Sequence, residues 1–315
     1  MDVLSDILDV LKFKGCLYFT TNFGSPWGVK VPHYQNTARF HLVTQGSLWI
    51  TVAGCPDPIK IEDGDFIIIP HGAAHEMRDN IDNSSTMLNS HDDGTFDDDG
   101  TFRLGDRESE DITRLVCGHF EFDSGFQHPL LEQLPSYILI KKEEAESVPW
   151  FNQALLVMAS EAGDNKLGYS EILKRMSEIL FIHTVRLWSE RETGKANFIA
   201  AVTDPKIGRS LNALHAEPNC RWTVEDLAKS AGMSRTAFAE QFSKLTGLTP
   251  MQYVTVWRIQ KAQRMLIEND VSVEWVASQV GYESVAAFSR VFKKIAGEGP
   301  GAYRRNNRNT PEMVH

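Results

Sequence analysis

The sequence predicts an α+β chain in which an amino-terminal β-barrel is followed by helices and then by an all-α carboxy-terminal domain with two helix-turn-helix motifs. Three observations predict it. Short apolar runs separated by glycine fill residues 40–75, two stretches of helical periodicity follow, and roughly the last hundred residues contain an internal repeat.

A chain of 315 residues suits two domains, each large enough to bury its own core. The opening MDVLSDILDVLKF lacks a basic start and a small-residue cleavage site, and no segment has about 18 uninterrupted apolar residues, so a soluble cytosolic protein is expected. Cys16, Cys55, Cys117 and Cys220 are scattered without a CxxC pair, which argues against a disulfide framework. The net charge of −10 is uneven: residues 206–315 carry 15 Lys and Arg against 10 Asp and Glu, so a basic tail domain follows an acidic body. That asymmetry suits nucleic acid, although +5 is also ordinary surface variation, and the motif decides.

The repeat sets Thr223-Val-Glu-Asp-Leu-Ala-Lys-Ser-Ala-Gly232 beside Ser272-Val-Glu-Trp-Val-Ala-Ser-Gln-Val-Gly281 at an offset of 49. After a one-residue insertion the offset is 50, pairing Phe238 with Phe288, Phe242 with Phe292, Lys244 with Lys294, Gly247 with Gly297, Pro250 with Pro300 and Tyr253 with Tyr303. Each copy has an N-cap hydroxyl, a short one-faced helix, a glycine at the turn and a second amphipathic helix, the helix-turn-helix order. Val224, Leu227 and Ala228 face inward in the first copy, Ser234 caps its second helix, and Phe238, Phe242 and Leu245 anchor it. The outward positions are Arg235, Thr236, Ala239, Glu240 and Ser243 in the first copy, and Ser284, Val285, Ser289, Arg290 and Lys293 in the second; there base edges would be read. Helical hairpins that merely pack together would show the same Phe and Leu pattern, but caps, turns and repeat agree on the motif. Met251 to about Asn269 reads as one connecting helix, able to hold both recognition helices for successive major grooves about 34 Å apart.

From Leu211 to about Arg305 these residues resemble the AraC/XylS family of bacterial regulators, most specifically over Gly281-Tyr-Glu-Ser-Val-Ala-Ala-Phe-Ser-Arg-Val-Phe-Lys-Lys294 and Gly-Pro-Gly-Ala-Tyr-Arg304. Gly297-Glu-Gly299 departs from the family's usual loop and is expected to loosen a turn. The resemblance implies double-stranded DNA and RNA polymerase as partners, with Arg290, Thr236 and Glu240 at base edges and Lys244, Lys293 and Lys294 on phosphates. Glu240 then has to accept from a cytosine amino group or pair with an arginine.

In the acidic body, Phe40–Val43, Leu48–Val52 and Phe66–Ile69, punctuated by Gly46, Gly54, Gly64 and Gly72, read as strands with tight turns. Gly64-Asp-Phe-Ile-Ile-Ile-Pro70-His-Gly72-Ala-Ala-His75 has the spacing G-x5-P-x-G-x2-H and resembles the second motif of cupin barrels. The first cupin motif, two histidines and a carboxylate for a metal, is degraded here to His33, Gln35 and Arg39. Strand alternation places Arg39 and His41 on one face, and the motif position places His75 in the interior. Phe40-His-Leu-Val-Thr-Gln-Gly46 and Leu115-Val-Cys-Gly118 resemble the subgroup of the same regulator family that has a cupin sensor and includes a reactive-chlorine-sensing regulator; the resemblance implies a cysteine pair that responds to oxidants. Cys16, His41, His75 and Cys117 would suit tetrahedral zinc, and the same thiols a redox switch. Against this, a buried cysteine also serves as a small apolar residue and a barrel histidine as a satisfied core group. His119 and His71 are substitutes.

Residues 82–112, with the duplicated Asp-Gly-Thr-Phe, read as a disordered acidic insertion without the carboxylate spacing of an EF-hand. Trp150–Ala162 and Tyr169–Glu192 read as helices, the second with a stripe of Leu173, Met176, Leu180, His183 and Leu187 that is either core or a homodimer seam. Ala200–Arg209 reads as the interdomain linker. The expected division is a cupin-like sensor barrel over 1–145, a helical dimerisation and linker region over 146–205, the DNA-binding domain over 206–305 and a flexible tail over 306–315. Function follows as a non-enzymatic, sequence-specific transcription regulator, an activator by family pattern, controlled by a small-molecule, metal or oxidant effector. The competing classes are a metal-dependent cupin enzyme fused to a DNA-binding module, for which His33, Gln35 and Arg39 supply no complete ligand set, and a nonspecific architectural DNA protein.

Overall fold

The glycine-punctuated runs are strands and the periodic stretches are helices. The computed structural model describes residues 2–11, 14–87, 95–97, 101–122, 128–164, 166–191 and 196–308. In chain order it contains α1 (Val3–Val10), β1 (Lys14–Gly24), β2 (Gly28–Val31), β3 (Thr37–Gln45), β4 (Ser47–Val52), β5 (Cys55–Glu62), β6 (Phe66–Ile69), β7 (His75–Arg78), β8 (Thr86–Met87), β9 (Thr95–Phe96), β10 (Phe102–Gly105) and β11 (Ile112–Glu121). There follow α2 (Pro129–Glu132), β12 (Ile138–Ile140), α3 (Lys142–Ser147), α4 (Pro149–Asp164), α5 (Tyr169–Arg191), α6 (Phe198–Thr203), α7 (Ile207–Ala216), α8 (Val224–Ala231), α9 (Arg235–Thr246), α10 (Pro250–Glu268), α11 (Val273–Gln279), α12 (Val285–Ala296) and α13 (Pro300–Arg308).

The chain divides into a barrel unit, residues 13–124 and 134–192, and a helical unit, residues 1–12, 125–133 and 193–315. The barrel unit has a seven-stranded sheet in the order β12-β6-β3-β11-β1-β10-β9 and a five-stranded sheet in the order β5-β4-β7-β2-β8. Strand β3 is buried at every position from Ala38 to Val43, because both its faces are covered. One face carries Phe40, whose ring lies 5.8 Å from Phe66 and 5.1 Å from Phe120; these rings in turn meet Phe151 of α4 at 6.3 Å and Phe181 of α5 at 5.0 Å. The other face turns Val43, with Leu115 and Ile67, toward Leu48, Ile50 and Val52 of the second sheet. Strand β4 alternates buried and half-buried residues, as expected of a sheet covered on one face only. Gly72 adopts φ +57°, and a Cβ there would stand 2.3 Å from the Tyr34 carbonyl oxygen, so the turn admits only glycine.

Three sequence expectations change. Residues 101–112 are not a structureless part of the insertion, since β10 pairs in parallel with β1 and Phe102 is buried with its ring 6.0 Å from Phe23. One apolar anchor outweighs the acidic composition around it; the disorder expected over 88–94 and 98–100 lies outside the described residues. On α5 the buried stripe is Leu173, Ser177, Leu180, Phe181, Thr184 and Val185, with Met176, His183 and Leu187 only half-buried, because Phe181 reaches the sheet. Residues 200–209 are not a linker but part of α6 and α7 with a tight corner between them. Asp204 Oδ1 accepts from the amides of Lys206 and Ile207, both at 2.8 Å, and a Cβ on Gly208 would stand 2.3 Å from the Val202 carbonyl oxygen.

The helical unit repeats in geometry as in sequence. Thr223 and Asp226 form a capping box on α8, Gly232 ends it at φ 66°, and Ser234 caps α9. Ser272 caps α11, Gly281 turns at φ 79°, and Ser284 caps α12. Ring centroids of Phe238 and Phe242 are 5.4 Å apart and those of Phe288 and Phe292 5.5 Å; Phe242 to Tyr253 is 5.7 Å and Phe292 to Tyr303 5.4 Å. Helix α10, 19 residues and so about 28 Å long, joins the two copies. Gly297, at φ 80°, ends α12 and leads directly into α13, so the unusual Gly297-Glu-Gly299 forms a helix stop. Helix α13 continues to Arg308 rather than fraying at 306, and the tail from 309 lies outside the described residues.

The boundaries expected at 145 and 205 also move. Helices α3 to α5 fold with the barrel, and α1 packs on α7 and α10 with Val3, Ile7 and Val10 buried. Buried Asp6 ties it there, accepting from His215 Nδ1 at 2.9 Å and from Lys261 Nζ at 2.5 Å. No local pattern in residues 1–12 announces partners more than 200 positions away.

Two predictions follow from this packing. Phe242→Ala leaves a cavity between Phe238 and Tyr253 and should cost roughly 3–5 kcal/mol in urea unfolding; full stability would contradict the core assignment. Burial holds both His128 and His215 below the ordinary histidine value, aided at His128 by the neighbouring His215 charge and opposed at His215 by its bond to Asp6. The unfolded chain therefore takes up more protons below about pH 6.5, and stability present above that value is lost as the pH falls. Thermal melts between about pH 7.5 and 5.5 should show a falling melting temperature, with a flatter profile in His128→Gln.

Candidate nucleic-acid interface and barrel histidine site

Helix α9 carries Arg235, Thr236, Ala239, Glu240 and Lys244, and α12 carries Val285, Ser289, Arg290, Lys293 and Lys294 with Ser284 at its cap. All are exposed except Ala239 and Ser289, which are half-buried. The inward faces hold Phe238, Phe242, Phe288 and Phe292, so the amphipathic pattern alone turns the polar residues outward. Ser284 spends its hydroxyl accepting from the Ala287 amide at 3.4 Å, as Ser234 does from Ala237, which gives it a capping role at the position expected for base contact. Helix α12 presents three cations and no acid, whereas α9 presents Arg235 and Lys244 against Glu240. Lys293 and Lys294 also stand in the last turn of α12, where they complement the helix dipole.

Sequence reasoning missed Arg258. From α10 it donates Nε to the Pro218 carbonyl at 2.8 Å and Nη2 to that of Cys220 at 2.7 Å, and it lies 5.8 Å from the Tyr282 ring. A Cβ on Gly281 would stand 2.8 Å from Nη2, so this arginine sets the turn of the second helix-turn-helix. Its partners lie about 40 residues upstream, outside any local pattern.

In the barrel, β3 and β11 place His41 directly opposite Cys117, and His75 approaches from the other sheet on β7. Cys117 Sγ lies 3.1 Å from His41 Nδ1, His41 Nε2 lies 3.0 Å from His75 Nε2, and His75 Nδ1 lies 2.9 Å from the Ala73 carbonyl oxygen. A carbonyl only accepts, so His75 Nδ1 carries the proton and its Nε2 a lone pair. His41 then donates from Nε2 and accepts the Cys117 S–H at Nδ1, which orders every proton in the row. Burial favours the neutral forms: it holds His41 well below the usual imidazole range, His75 at about 4, and pushes the Cys117 thiol up to about 12, with the Arg39 charge lowering all three. Arg39 is buried beside them, its guanidinium 4.1 Å from the Tyr34 ring.

The other candidates are placed elsewhere. His33 and Gln35 are exposed in the loop between β2 and β3, His119 pairs with Glu121 at 3.0 Å, and His71 faces the Leu134 carbonyl oxygen at 2.8 Å. Cys16 stands on β1 opposite His119 in register. Cys55, Cys117 and Cys220 are free thiols. Among the described residues no three or more His, Cys, Asp or Glu side chains are gathered as metal ligands are; His41 and His75 form a pair, with Cys117 on the far nitrogen of His41. No helix is long and apolar enough to cross a membrane among the described residues.

A family model described as a cupin matches residues 2–190, and one described as a helix-turn-helix domain matches residues 227–306. The chain is 30% identical over 314 residues to an AraC-like transcription regulator of Streptomyces lividans, covering 97% of this chain and 99% of the relative. It is 29% identical to the HTH-type transcriptional regulator AlkR of Acinetobacter baylyi, covering 98% and 100%. It is 24% identical to the RCS-specific HTH-type transcriptional activator RclR of Escherichia coli, covering 98% and 99%. The resemblance to the chlorine-sensing subgroup is thus one of several full-length similarities and singles out no effector. Among solved structures, the DNA-binding domain of AdpA in complex with a target DNA is 35% identical over 34% of this chain and 95% of that one, with a TM-score of 0.32. These relatives are transcription regulators rather than enzymes.

If Arg290 reads a base, Arg290→Ala should weaken binding to the specific site by about 1–3 kcal/mol and leave random DNA nearly unaffected. A competition assay at fixed salt checks this, and an equal loss on both would make Arg290 a phosphate contact.

Proposed function

Because the chain belongs to the AraC family of transcription regulators and carries an amino-terminal cupin domain, we propose that it is a sequence-specific regulator whose barrel senses a zinc-class cation at His41 and His75. One observation carries the reading: two Nε2 atoms from opposing sheets face each other at 3.0 Å. Two nitrogens on one tetrahedral zinc stand about 3.3 Å apart, given bonds of about 2.0–2.1 Å. His75 also donates its other N–H to a carbonyl, the outer partner that metal-bound histidines usually have. His41 meets the same requirement when its proton sits on Nδ1. Cys117, which lies on that nitrogen, would then be the outer partner of His41 rather than a ligand.

A thiol switch is the second reading, favoured by the free Cys117 thiol against His41, but a thiol held at about 12 reacts slowly at neutral pH. Exposed Ile172 and Ile179, two turns apart on α5, support pairing of two copies into a homodimer, and the family pattern supports RNA polymerase as the partner in activation.

Metal analysis and thiol titration of the purified full chain test the proposal. Expected are stoichiometric zinc, its loss in His75→Ala, and DNA binding that responds to a chelator in the native chain but not in that variant. Metal-free protein whose DNA binding ignores both zinc and chelator would overturn it, and a response to hypochlorite or peroxide alone would favour the thiol reading.

A further inference from the structure

The helical unit is assembled from three stretches far apart in sequence, and two of them, residues 1–12 and 125–133, flank the long barrel segment 13–124. Both end on the same side chain. His128 Nδ1 accepts the Leu130 amide at 3.1 Å and so caps α2, which leaves the proton on Nε2, 3.3 Å from the Tyr253 hydroxyl. Tyr253 must then donate to His215 Nε2 at 2.8 Å, and His215 donates from Nδ1 to Asp6 at 2.9 Å. Lys261 closes the row on the other carboxylate oxygen at 2.5 Å. Asp6, His128, His215 and Tyr253 are all buried.

The same stretch grips the first recognition helix. Gln133 donates to the Thr246 carbonyl oxygen at the end of α9 at 3.0 Å and accepts the Phe198 amide at 2.6 Å, while Tyr253 packs on Phe242 of α9 at 5.7 Å. A buried polar row of this kind is stable only when complete, because losing one member leaves its neighbours desolvated and unpaired.

We infer that residues 1–12 and 128–133 form a two-point latch that meets at Tyr253 and holds α9 against α10 in the arrangement that binds DNA. The chain entering the barrel segment and the chain leaving it are therefore its output elements, and release of either releases the other. This holds whatever the barrel senses.

Hydrogen exchange on the full chain, paired with affinity for a duplex selected by the native protein from a random library, tests the latch. Tyr253→Phe removes the shared hydroxyl with little change in volume. Exchange should rise roughly tenfold in both 3–10 and 128–133. Affinity for the selected duplex should fall about fivefold or more. Faster exchange in only one segment, or in both with affinity within about twofold, would overturn the inference. Should Tyr253→Phe fail to fold, Asp6→Asn carries the same test: a change confined to α1 must raise exchange in 128–133, and two independently docked segments would leave 128–133 unmoved.

Discussion

A buried imidazole needs a donor on one side and an acceptor on the other, and this requirement organises both units. In the barrel the Ala73 carbonyl sets the direction, so protons point from Cys117 through His41 to His75. In the helical unit the Leu130 amide sets it, so protons point from His128 through Tyr253 and His215 to Asp6. Each row ends on backbone at one side, and each joins elements that the chain keeps far apart. In the barrel it bridges two sheets; in the helical unit it collects three stretches of chain. Neither row tolerates a missing member without stranding the rest, which makes both cooperative.

The two rows differ in what they leave open. The helical row ends on a carboxylate neutralised by Lys261, so charge is balanced and the row is structural in its resting state. Among the described residues the barrel row has no counter-ion of that kind, and it stands beside buried Arg39, whose charge disfavours cationic imidazoles and so raises the cost of a further cation, while burial keeps the thiol neutral. A cation that binds between His41 and His75 must repay that repulsion through direct bonds to imidazole nitrogen, which restricts the choice to metals with strong affinity for such ligands. Outward chemistry separates the two helix-turn-helix copies in the same way. Their core rings are spaced alike, yet the charged residues of α12 are all cations and those of α9 a mixture that includes Glu240.

The helix-turn-helix pair was legible because every determinant is local. Thr223, Ser234, Ser272 and Ser284 cap helices within three residues of themselves, and the phenylalanines recur at helical spacing. The strands from Phe40 to His75 were legible for a similar reason, with glycine turns between apolar runs. Legibility failed where one side chain outweighed its neighbourhood, as Phe102 does in acidic surroundings, and where a helical stripe was read without knowing which ring met the sheet, as on α5.

By itself the sequence determined the family, the two-domain class, the recognition helices and their outward residues, because capping, periodicity and repeat act over a few residues. Only the tertiary structure decided that residues 1–12 and 125–133 fold with the helical unit, and that His41 stands between Cys117 and His75 rather than beside them. Those outcomes depend on pairing buried polar groups across as many as 209 positions, and no local pattern encodes which partner a proton will find.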